Sequence, residues 1–273
     1  MLILAATPIG NLGDASARLK EVLVEAKFIA AEDTRSLLKL ASMLDIKLNA
    51  KLFSLHEHNE LERLEQILEI AQSEDVVVVS DAGMPTVSDP GYALVRAAAQ
   101  AGLEITVIPG PSAVLAALSV SGLATDRFTF EGFLPRKGSD RRKVFKSLAG
   151  ESRTMIFFES PHRILESLED AASVFGEERL ATVSRELTKK FEHTERGSLA
   201  KLILWAKGDP KGEMVLVIAG APQAKTNAAD VVVLVNELVE AGEKLKPAVA
   251  SIADLHGVSK SELYQLVLDS RKA

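Results

Sequence analysis

Residues 76–91 read VVVVSDAGMPTVSDPG, and this stretch decides the fold. Its four consecutive valines, Val76–Val79, are typical of a strand that is buried on both faces. The strand runs into a loop, Ser80–Gly91, that is rich in small residues, glycine and proline. Open α/β sheets bind ligands beside such loops, because small residues let a ligand approach the backbone closely. The stretch therefore predicts a binding loop, although a plain strand–loop–helix connection has the same pattern.

The end of this loop predicts the start of a helix. Asp89 is a residue type that often caps helices, and Pro90 is of the type favoured at the first helical position. We therefore expect the Asp89 side chain to accept a hydrogen bond from the backbone at the start of the helix that follows.

Strand-like runs and helical patterns alternate on both sides of this stretch. In the first half, strands are expected at Leu2–Ala6, Phe28–Ala31, Leu52–Leu55, Val76–Val79 and Ile105–Ile108, and helices at Ala15–Ala26, Thr34–Leu44, Glu57–Gln72 and Gly91–Ala101. In the second half, strands are expected at Phe128–Phe133, Met155–Glu159, Leu180–Ser184 and Met214–Ala219, and helices at Pro161–Phe175 and Ser198–Lys207. Alternation of this kind predicts βαβ units and a largely parallel sheet. We therefore expect an α/β fold with two α/β domains, residues 1–122 and 123–222.

The pattern changes after Pro222, and residues 223–273 are expected to form a C-terminal helical tail. Its helices are predicted at Ala228–Ala241, Lys246–His256 and Ser259–Ser270. A short turn containing Gly257 and a serine cap at Ser259 join the last two helices, which is typical of a helix-turn-helix. A helical hairpin packed on the second domain has the same pattern, so both interpretations stay open.

The composition is ordinary for a globular protein, with 273 residues of which 47% are hydrophobic and 26% charged. The chain has no cysteine, which excludes disulfides, a thiolate nucleophile and Cys-ligated zinc or iron–sulfur sites. Its longest apolar runs, such as Met214–Ala219, are much shorter than the roughly 20 residues that a membrane span needs. The first predicted strand begins directly after Met1, so we expect no signal peptide. We therefore expect a cytoplasmic protein with no membrane association.

The net charge is −6, so the molecule as a whole is not an obvious nucleic-acid binder. One segment departs from this average. Its basic residues, set against the single acid Asp140, are Arg136, Lys137, Arg141, Arg142, Lys143 and Lys146. This basic segment predicts either a phosphate-binding patch or a solvated, charged helix face.

Two further loops follow predicted strands and also contain glycine and proline. Ala6–Asp14 lacks the Gly-x-Gly-x-x-Gly fingerprint of dinucleotide binding and the lysine of a P-loop, which argues against nucleotide triphosphate hydrolysis. Ile108–Ala113 places Pro111 where a helix would begin, and the backbone N–H groups there can bind a polar ligand atom. Together with Ser80–Gly91, these loops are expected to converge on one crevice.

A charged cluster, Glu32-Asp33-Thr34-Arg35, follows another predicted strand. Asp33 or Thr34 would cap the next helix. Capping does not account for Glu32 and Arg35. A carboxylate close to an arginine is either a positioned general base or half of a structural ion pair.

The sequence His56-Glu57-His58 has a spacing that metal sites use. It stands at the start of a charged helix, and no matching ligand cluster occurs elsewhere in the sequence. We therefore expect no metal site, and interpret these residues as a solvated first turn or a substrate contact.

Five motifs occur in one order along the chain: Thr7–Asn11, Glu32–Arg35, Ser80–Gly91, Pro109–Ala113 and Ser184–Lys190. In combination they resemble the tetrapyrrole methylase superfamily, and closely its members that methylate ribosomal RNA. The resemblance covers about residues 1–222 and extends to the helical tail. It implies two α/β domains, an S-adenosylmethionine site in the cleft between them, and a homodimer.

The resemblance also implies which residues contact the methyl donor. By position these are Pro8, Gly10, Gly83, Met84, Val87, Ser112, Ala113, Phe158 and Met214. Members that methylate tetrapyrroles carry a Gly-Asp-Pro loop where this chain has Gly83-Met84-Pro85, so a corrin or sirohaem precursor is not the expected substrate. The match to the RNA-methylating members implies 2′-O-ribose methylation of a decoding-centre cytidine in the 16S ribosomal RNA of the small subunit.

For that reaction, Glu32 and Asp33 are the candidate bases, and Arg35 is expected to orient the acid or hold a phosphate. The residues expected to contact RNA are Arg136, Lys137, Arg141, Arg142 and Lys143. Two other functions stay open. One is methylation of a tetrapyrrole precursor or a protein on the same fold, and the other is RNA binding without catalysis.

Overall fold

The computed structural model describes residues 1–56, 59–222 and 227–271. The chain forms two compact units, Met1–Ala221 and Pro222–Ala273. The first unit contains two five-stranded sheets, and the second is helical.

The first sheet has five parallel strands in the order β3-β2-β4-β1-β5. The strands are β1 (Leu2–Ala5), β2 (Phe28–Ala31), β3 (Lys51–Ser54), β4 (Val76–Val79) and β5 (Ile105–Ile108). The helices around it are α1 (Ala17–Glu25), α2 (Thr34–Met43), α3 (Glu60–Ala71), α4 (Tyr92–Gln100) and α5 (Ala113–Ser121). The four valines form the central strand, and all four are buried. The predicted parallel sheet is therefore confirmed, and all its strands end at one edge.

The second sheet has the order β6-β7-β10-β8-β9. The strands are β6 (Phe128–Phe133), β7 (Thr154–Glu159), β8 (Leu180–Arg185), β9 (His193–Ser198) and β10 (Met214–Ile218), and the helices are α6 (Gly138–Ser147), α7 (Ile164–Phe175) and α8 (Leu199–Ala206). Only β6 and β7 are parallel, and the other three pairings are antiparallel. The expectation of a largely parallel sheet is therefore wrong for this half.

The missed edge strand β9 explains part of that error. Its sequence, HTERGS, has no apolar alternation and no buried residue. Its antiparallel pairing with β8 places it at the edge of the sheet, where polar side chains are tolerated. A sequence pattern that depends on burial therefore cannot identify it.

Helix α5 lies in the predicted first domain but packs on the second sheet. Its buried Val114 and Leu118 share a hydrophobic cluster with Val215 and Val217 of β10. Both sheets therefore belong to one compact unit. The division of this unit into domains at 122/123 stays a prediction.

The Pro222–Ala273 unit contains α9 (Val232–Glu240), α10 (Leu245–His256) and α11 (Lys260–Ser270), preceded by a short 3₁₀ turn, Ala228–Val231. The predicted helices are confirmed. Gly257 ends α10 with a left-handed backbone, and the Ser259 hydroxyl accepts the Glu262 N–H at the start of α11. Among the described residues, no helix is long and apolar enough to cross a membrane.

Candidate active site

The three small-residue loops of the first sheet lie side by side, as expected. The backbone N–H of Thr7 donates to the Gly83 carbonyl at 2.9 Å, and the Gly83 N–H donates back to the Thr7 carbonyl at 3.0 Å. The Ala6 N–H donates to the Ile108 carbonyl at 3.1 Å, which ties the first loop to the third. These loops therefore form one continuous rim at the carboxyl edge of the parallel sheet.

A cavity of about 410 Å³ opens beside this rim, within the Met1–Ala221 unit. Its lining residues are Ile9, Glu32, Asp81, Ala82, Asp89, Ala113, Phe133, Phe158, Glu159, Ser160, Pro161, Leu187, Glu213, Met214 and Val215. The volume lies in the range of small-molecule sites, and the position is where open α/β sheets bind ligands. We name this space the rim cavity and treat it as the candidate active site.

A second hollow of about 390 Å³ lies near the amino ends of β1 and β4. Its lining includes Lys27 and Glu74, which are joined by a salt bridge of 3.0 Å. It lies away from the rim loops, at the end of the strands where α/β proteins seldom bind ligands. The rim cavity is therefore the better candidate.

Three of the residues expected to contact the methyl donor line the rim cavity: Ala113, Phe158 and Met214. The other six lie in the rim loops or beside them. Pro8 and Gly10 flank the lining residue Ile9, and Gly83 holds the bridge to Thr7. Met84 and Val87 lie further along the second loop, where the Val87 side chain is exposed, and Ser112 caps α5.

Gly10 has a packing role that a larger residue would disturb. A Cβ placed on it would lie 2.5 Å from Cγ of Lys189, and its φ is +156°. The Lys189 ammonium is held by Glu186 at 3.1 Å and by Glu213 at 2.8 Å. The first loop therefore packs closely against a fixed lysine from the β8–β9 connection.

Glu32 is positioned at the cavity wall by backbone hydrogen bonds between neighbouring strand ends. Its Oε2 accepts the N–H of Asp81 at 3.1 Å. Oδ1 of Asp81 in turn accepts the N–H of Asp33 at 3.3 Å. Glu32 and Asp81 both line the cavity, so the ends of β2 and β4 together present carboxylates to it.

Asp89 does not cap a helix, contrary to the sequence-based expectation. Helix α4 begins at Tyr92 after Gly91, which has a left-handed backbone and supplies no side-chain cap. The Asp89 side chain instead lines the rim cavity. Burial, with the nearby negative charge of Glu32, raises the pKa of Asp89 to about 7. A carboxyl of this kind can exchange a proton near neutral pH.

The loop that carries Asp89 is strained. Thr86 and Ser88 have φ values of 75° and 64°, a region that side chains with a Cβ seldom occupy. Across the cavity, Glu186 and Thr188 have φ values of 51° and 66° on either side of the lining residue Leu187. Strain of this kind persists at functional sites, where the surrounding structure fixes the backbone.

Asp33 and Arg35 form a local ion pair next to the cavity. The Asp33 side chain caps α2 by accepting the Arg35 N–H at 2.8 Å, and the two side chains meet at 2.6 Å. The Arg35 hydrogen bond lowers the pKa of Asp33 to about 2. Neither residue lines the rim cavity, whereas Glu32 does. Asp33 therefore has the features of a capping residue in an exposed ion pair.

Glu159 is a buried carboxylate on the opposite wall, but its oxygens are already engaged. It pairs with Arg163 and accepts the Ser160 N–H at 2.7 Å and the Ser167 hydroxyl at 2.6 Å. Protein partners therefore already occupy the Glu159 oxygens. Its geometry fits a structural role in holding the end of β7.

The basic segment divides into buried and exposed cations. Arg141 is only 2% exposed, and its guanidinium pairs with Asp170 at 2.6 Å. Arg142 also pairs with Asp170, at 2.7 Å, and Lys143 pairs with Asp140 at 2.9 Å. The buried Arg141 side chain cannot reach a phosphate in solvent, because it belongs to the core between α6 and α7.

Arg136 and Lys137 precede α6 and are exposed. Among the described residues, neither has an ion-pair partner. Lys146, in the last turn of α6, is also exposed and has no ion-pair partner among the described residues. These three are therefore the members of the basic segment that are best placed to bind an external phosphate.

No group of three or more metal-binding side chains occurs among the residues that the structure describes. Glu57 and His58, which complete the His-x-His motif and begin the predicted helix Glu57–Gln72, lie outside the described residues.

Sequence reasoning missed Phe133 and the cavity role of Asp89. Phe133 lines the rim cavity and is 62% exposed. The sequence predicts only that it ends a strand. A glycine within an apolar strand, Gly132, was the available signal, because such a glycine often marks a β-bulge. For Asp89, the sequence pattern predicts a helix cap and gives no sign that the carboxylate lines the cavity.

Comparisons with known proteins agree with this architecture. The model of the family Tetrapyrrole (Corrin/Porphyrin) Methylases matches residues 1–203. A protein of Mycobacterium tuberculosis (strain CDC 1551 / Oshkosh) named ribosomal RNA small subunit methyltransferase I is 47% identical, over 99% of this chain and 95% of the relative. Its namesake in Escherichia coli O157:H7 is 43% identical, over 99% of this chain and 95% of the relative.

Solved structures share the fold at low sequence identity. The methyltransferase CobJ superposes with a TM-score of 0.60 at 22% identity, covering 81% of this chain and 94% of CobJ. A diphthine synthase superposes with a TM-score of 0.58 at 18% identity, covering 80% of this chain and 89% of the synthase. The parallel sheet, the rim cavity and these matches lead to one conclusion: the chain belongs to the tetrapyrrole methylase family.

Proposed function

We propose that the protein transfers a methyl group from S-adenosylmethionine to the 2′-hydroxyl of a decoding-centre cytidine in 16S ribosomal RNA. The observation that carries the proposal is the rim cavity, which has carboxylates on one wall and apolar side chains on the other. The small-subunit rRNA methyltransferase I relatives supply the substrate class, since each matches this chain over almost its full length.

The chemistry of the cavity wall fits this methyl donor. Glu32, Asp81 and Asp89 favour a cationic ligand electrostatically, and Phe158 and Met214 offer an apolar surface to its adenosyl part. The N-terminal end of α5, which begins at the lining residue Ala113, favours a carboxylate. When bound, S-adenosylmethionine supplies an electrophilic methyl group.

The remaining contribution of the protein is alignment and proton removal. A ribose hydroxyl is a weak nucleophile, and a positioned base contributes about 10²- to 10⁴-fold. Glu32 and Asp89 fit this role because both carboxylates face the cavity. Asp33, the other carboxylate in the sequence-based hypothesis, is held outside it by Arg35. We therefore assign the proton-accepting oxygen to Glu32 or Asp89, with Arg35 holding Asp33 in its capping position.

The RNA is proposed to contact Arg136 and Lys137, with Arg142 and Lys143 as weaker partners because each already pairs with an acid. Arg141 leaves the proposed RNA-contacting set, since it is buried. A homodimer, which the family resemblance implies, and a cytoplasmic location, which the composition and the lack of a predicted signal peptide suggest, remain part of the proposal.

The decisive experiment is methylation of purified small ribosomal subunits with labelled S-adenosylmethionine, followed by mass mapping of ribose methyl groups. We expect label on a single cytidine of 16S ribosomal RNA. Label on a ribosomal protein instead, or efficient methylation of a porphyrinoid precursor in a parallel reaction, would overturn the substrate assignment. Absence of heat on calorimetric titration with S-adenosylmethionine would favour RNA binding without catalysis.

A further inference from the structure

Strand β6 contains a β-bulge at its cavity end. Phe130 pairs with Ile156 of β7, but the next paired residue is Phe133, which lies opposite Phe158. Two residues of β6 therefore separate the pairs, against one residue of β7. Gly132 adopts φ +70° between the two pairs, a left-handed conformation that glycine adopts without the steric cost of a Cβ.

The bulge changes which face of the sheet Phe133 occupies. In a regular strand, Phe130 and Phe133 would point to opposite faces, because side chains alternate. Here both rings pack against Phe158, edge to face, with ring centroids 4.9 Å and 5.3 Å from it. The extra residue therefore brings Phe133 onto the cavity side of the sheet.

Phe133 is the outermost of these three aromatic rings. It remains 62% exposed while lining the rim cavity, whereas Phe130 and Phe158 are partly buried in the cluster under α5. An exposed ring that is fixed from behind by another ring has low conformational entropy. It therefore offers a preformed flat surface at the cavity.

The chain continues from Phe133 directly into the exposed cations. Leu134 is buried and anchors the connection, and Arg136 and Lys137 follow within four residues of Phe133. A flat ring next to exposed cations is the combination with which proteins hold an unpaired nucleotide, by stacking its base and contacting its phosphates.

We propose that Phe133 stacks on the target base of the RNA, after that base has left its helix, and so places its ribose at the rim cavity. This inference rests on the proposed function and adds the recognition step to it. Carboxylates at the first-sheet wall would then face the ribose, while Phe133, the outermost ring of the second-sheet wall, holds the base. The alternative flat ligand is the adenine of the methyl donor, and the experiment distinguishes the two.

The test compares Phe133→Ala, Phe133→Tyr and the matched control Phe128→Ala. Phe128 begins the same strand, is 38% exposed and does not line the cavity. The measurements are kcat and KM for small ribosomal subunits at saturating methyl donor, and the Kd of S-adenosylmethionine by calorimetry. Wild-type methylation of the subunits tests the proposed function itself, and the ratios of KM test the stacking role.

Loss of one base–aromatic stack should raise KM for Phe133→Ala by about 5- to 100-fold. Phe133→Tyr should restore the wild-type value, and Phe128→Ala should not change it. The Kd of S-adenosylmethionine should be the same in all variants. A KM for Phe133→Ala within twofold of wild type overturns the inference. An equal rise in the Kd of the methyl donor overturns it too, because the ring would then hold adenine.

Discussion

The two walls of the rim cavity differ in chemistry. The wall from the first sheet carries Glu32, Asp81 and Asp89, and among the described residues none of these three forms an ion pair with a cation. The wall from the second sheet is mainly aromatic and aliphatic, and its acids are neutralised, Glu159 by Arg163 and Glu213 by Lys189. Reactive carboxylates and ligand-binding surface are therefore separated between the two sheets.

Sheet topology explains this separation. All strands of a parallel sheet end at the same edge, so the loops after β1, β2, β4 and β5 bring short polar side chains together there. The second sheet is mixed, and at the cavity β7 ends while its antiparallel neighbour β10 begins. Side chains of these paired strand ends, such as Phe158 and Val215, form much of the second wall. We therefore expect the first wall to supply the proton-accepting carboxylate and the second wall to supply the surface that binds the ligands.

The largest effect is expected from Asp89→Asn. The amide keeps the shape of the side chain but cannot accept a proton, so kcat should fall by about 10²- to 10⁴-fold if this carboxylate is the base. KM for the subunit should change little, and donor affinity should fall only modestly, because Glu32 and Asp81 still face the cavity. Steady-state kinetics as a function of pH provide the measurement, with the wild-type kcat rising through an apparent pKa near 7.

Glu32→Gln is the companion variant, because Glu32 faces Asp89 across the cavity wall and its charge raises the pKa of Asp89. If Asp89 is the base, Glu32→Gln should shift the apparent pKa of kcat downward while activity is retained. If Glu32→Gln alone abolishes turnover, Glu32 is the base and the assignment to Asp89 is wrong. Asp81→Asn should shift the apparent pKa in the same direction but by less, because the charge of Asp81 also raises the pKa of Asp89 and contributes less than that of Glu32.

The second prediction concerns RNA binding by the exposed cations that follow Phe133 of the second wall. Replacing Arg136 and Lys137 together by alanine should weaken RNA binding by roughly tenfold while leaving kcat at saturation unchanged. The slope of log Kd against log salt concentration should become shallower by about one for each lost phosphate contact. Binding titrations with small subunits at several salt concentrations measure both quantities.

Arg141→Ala is the matched control for that variant, because it removes a cation of the same segment from the core. Loss of the buried partner of Asp170 should destabilise the fold by about 3 kcal/mol. Thermal unfolding measures this cost. An Arg141→Ala protein that keeps its stability but loses the salt dependence would contradict the division between buried and exposed cations.

The first wall was largely predictable from the sequence, and the second was not. Val76–Val79, the Ser80–Gly91 loop and the Glu32 cluster follow local rules for buried parallel strands and their loop ends. Antiparallel pairing in the second half depends on contacts between distant residues, and polar β9 leaves no apolar signal. The positions of Asp89 and Phe133 could not be predicted for a related reason. Helix α4 begins later than the capping pattern predicts, and one extra residue in β6 changes the face that Phe133 occupies; neither change alters the local sequence pattern.

The third prediction is the pH dependence of stability in Asp89→Asn. Folded Asp89 keeps its proton up to about pH 7, whereas in the unfolded chain it loses the proton near its ordinary value of 3.8. The native state therefore binds more protons between these values, and wild-type stability should fall as pH rises through this window. Asp89→Asn removes this loss of stability. The unfolding temperature of the variant minus that of wild type should therefore be larger at about pH 8 than at about pH 4. The same difference at both pH values would contradict the burial of the Asp89 carboxyl.

The smallest effect is expected from Asp33→Asn, which tests whether the ion pair beside the cavity takes part in the chemistry. Asparagine caps helices as well as aspartate does, so α2 should remain intact. The change removes the charge that Arg35 neutralises, and the carboxylate lost does not line the cavity. Turnover should therefore stay within a few-fold of wild type at neutral pH, in the same assay that records the loss in Asp89→Asn. A loss as large as that of Asp89→Asn would return the base to Asp33, and would mean that the 32–35 turn moves into the cavity when RNA binds.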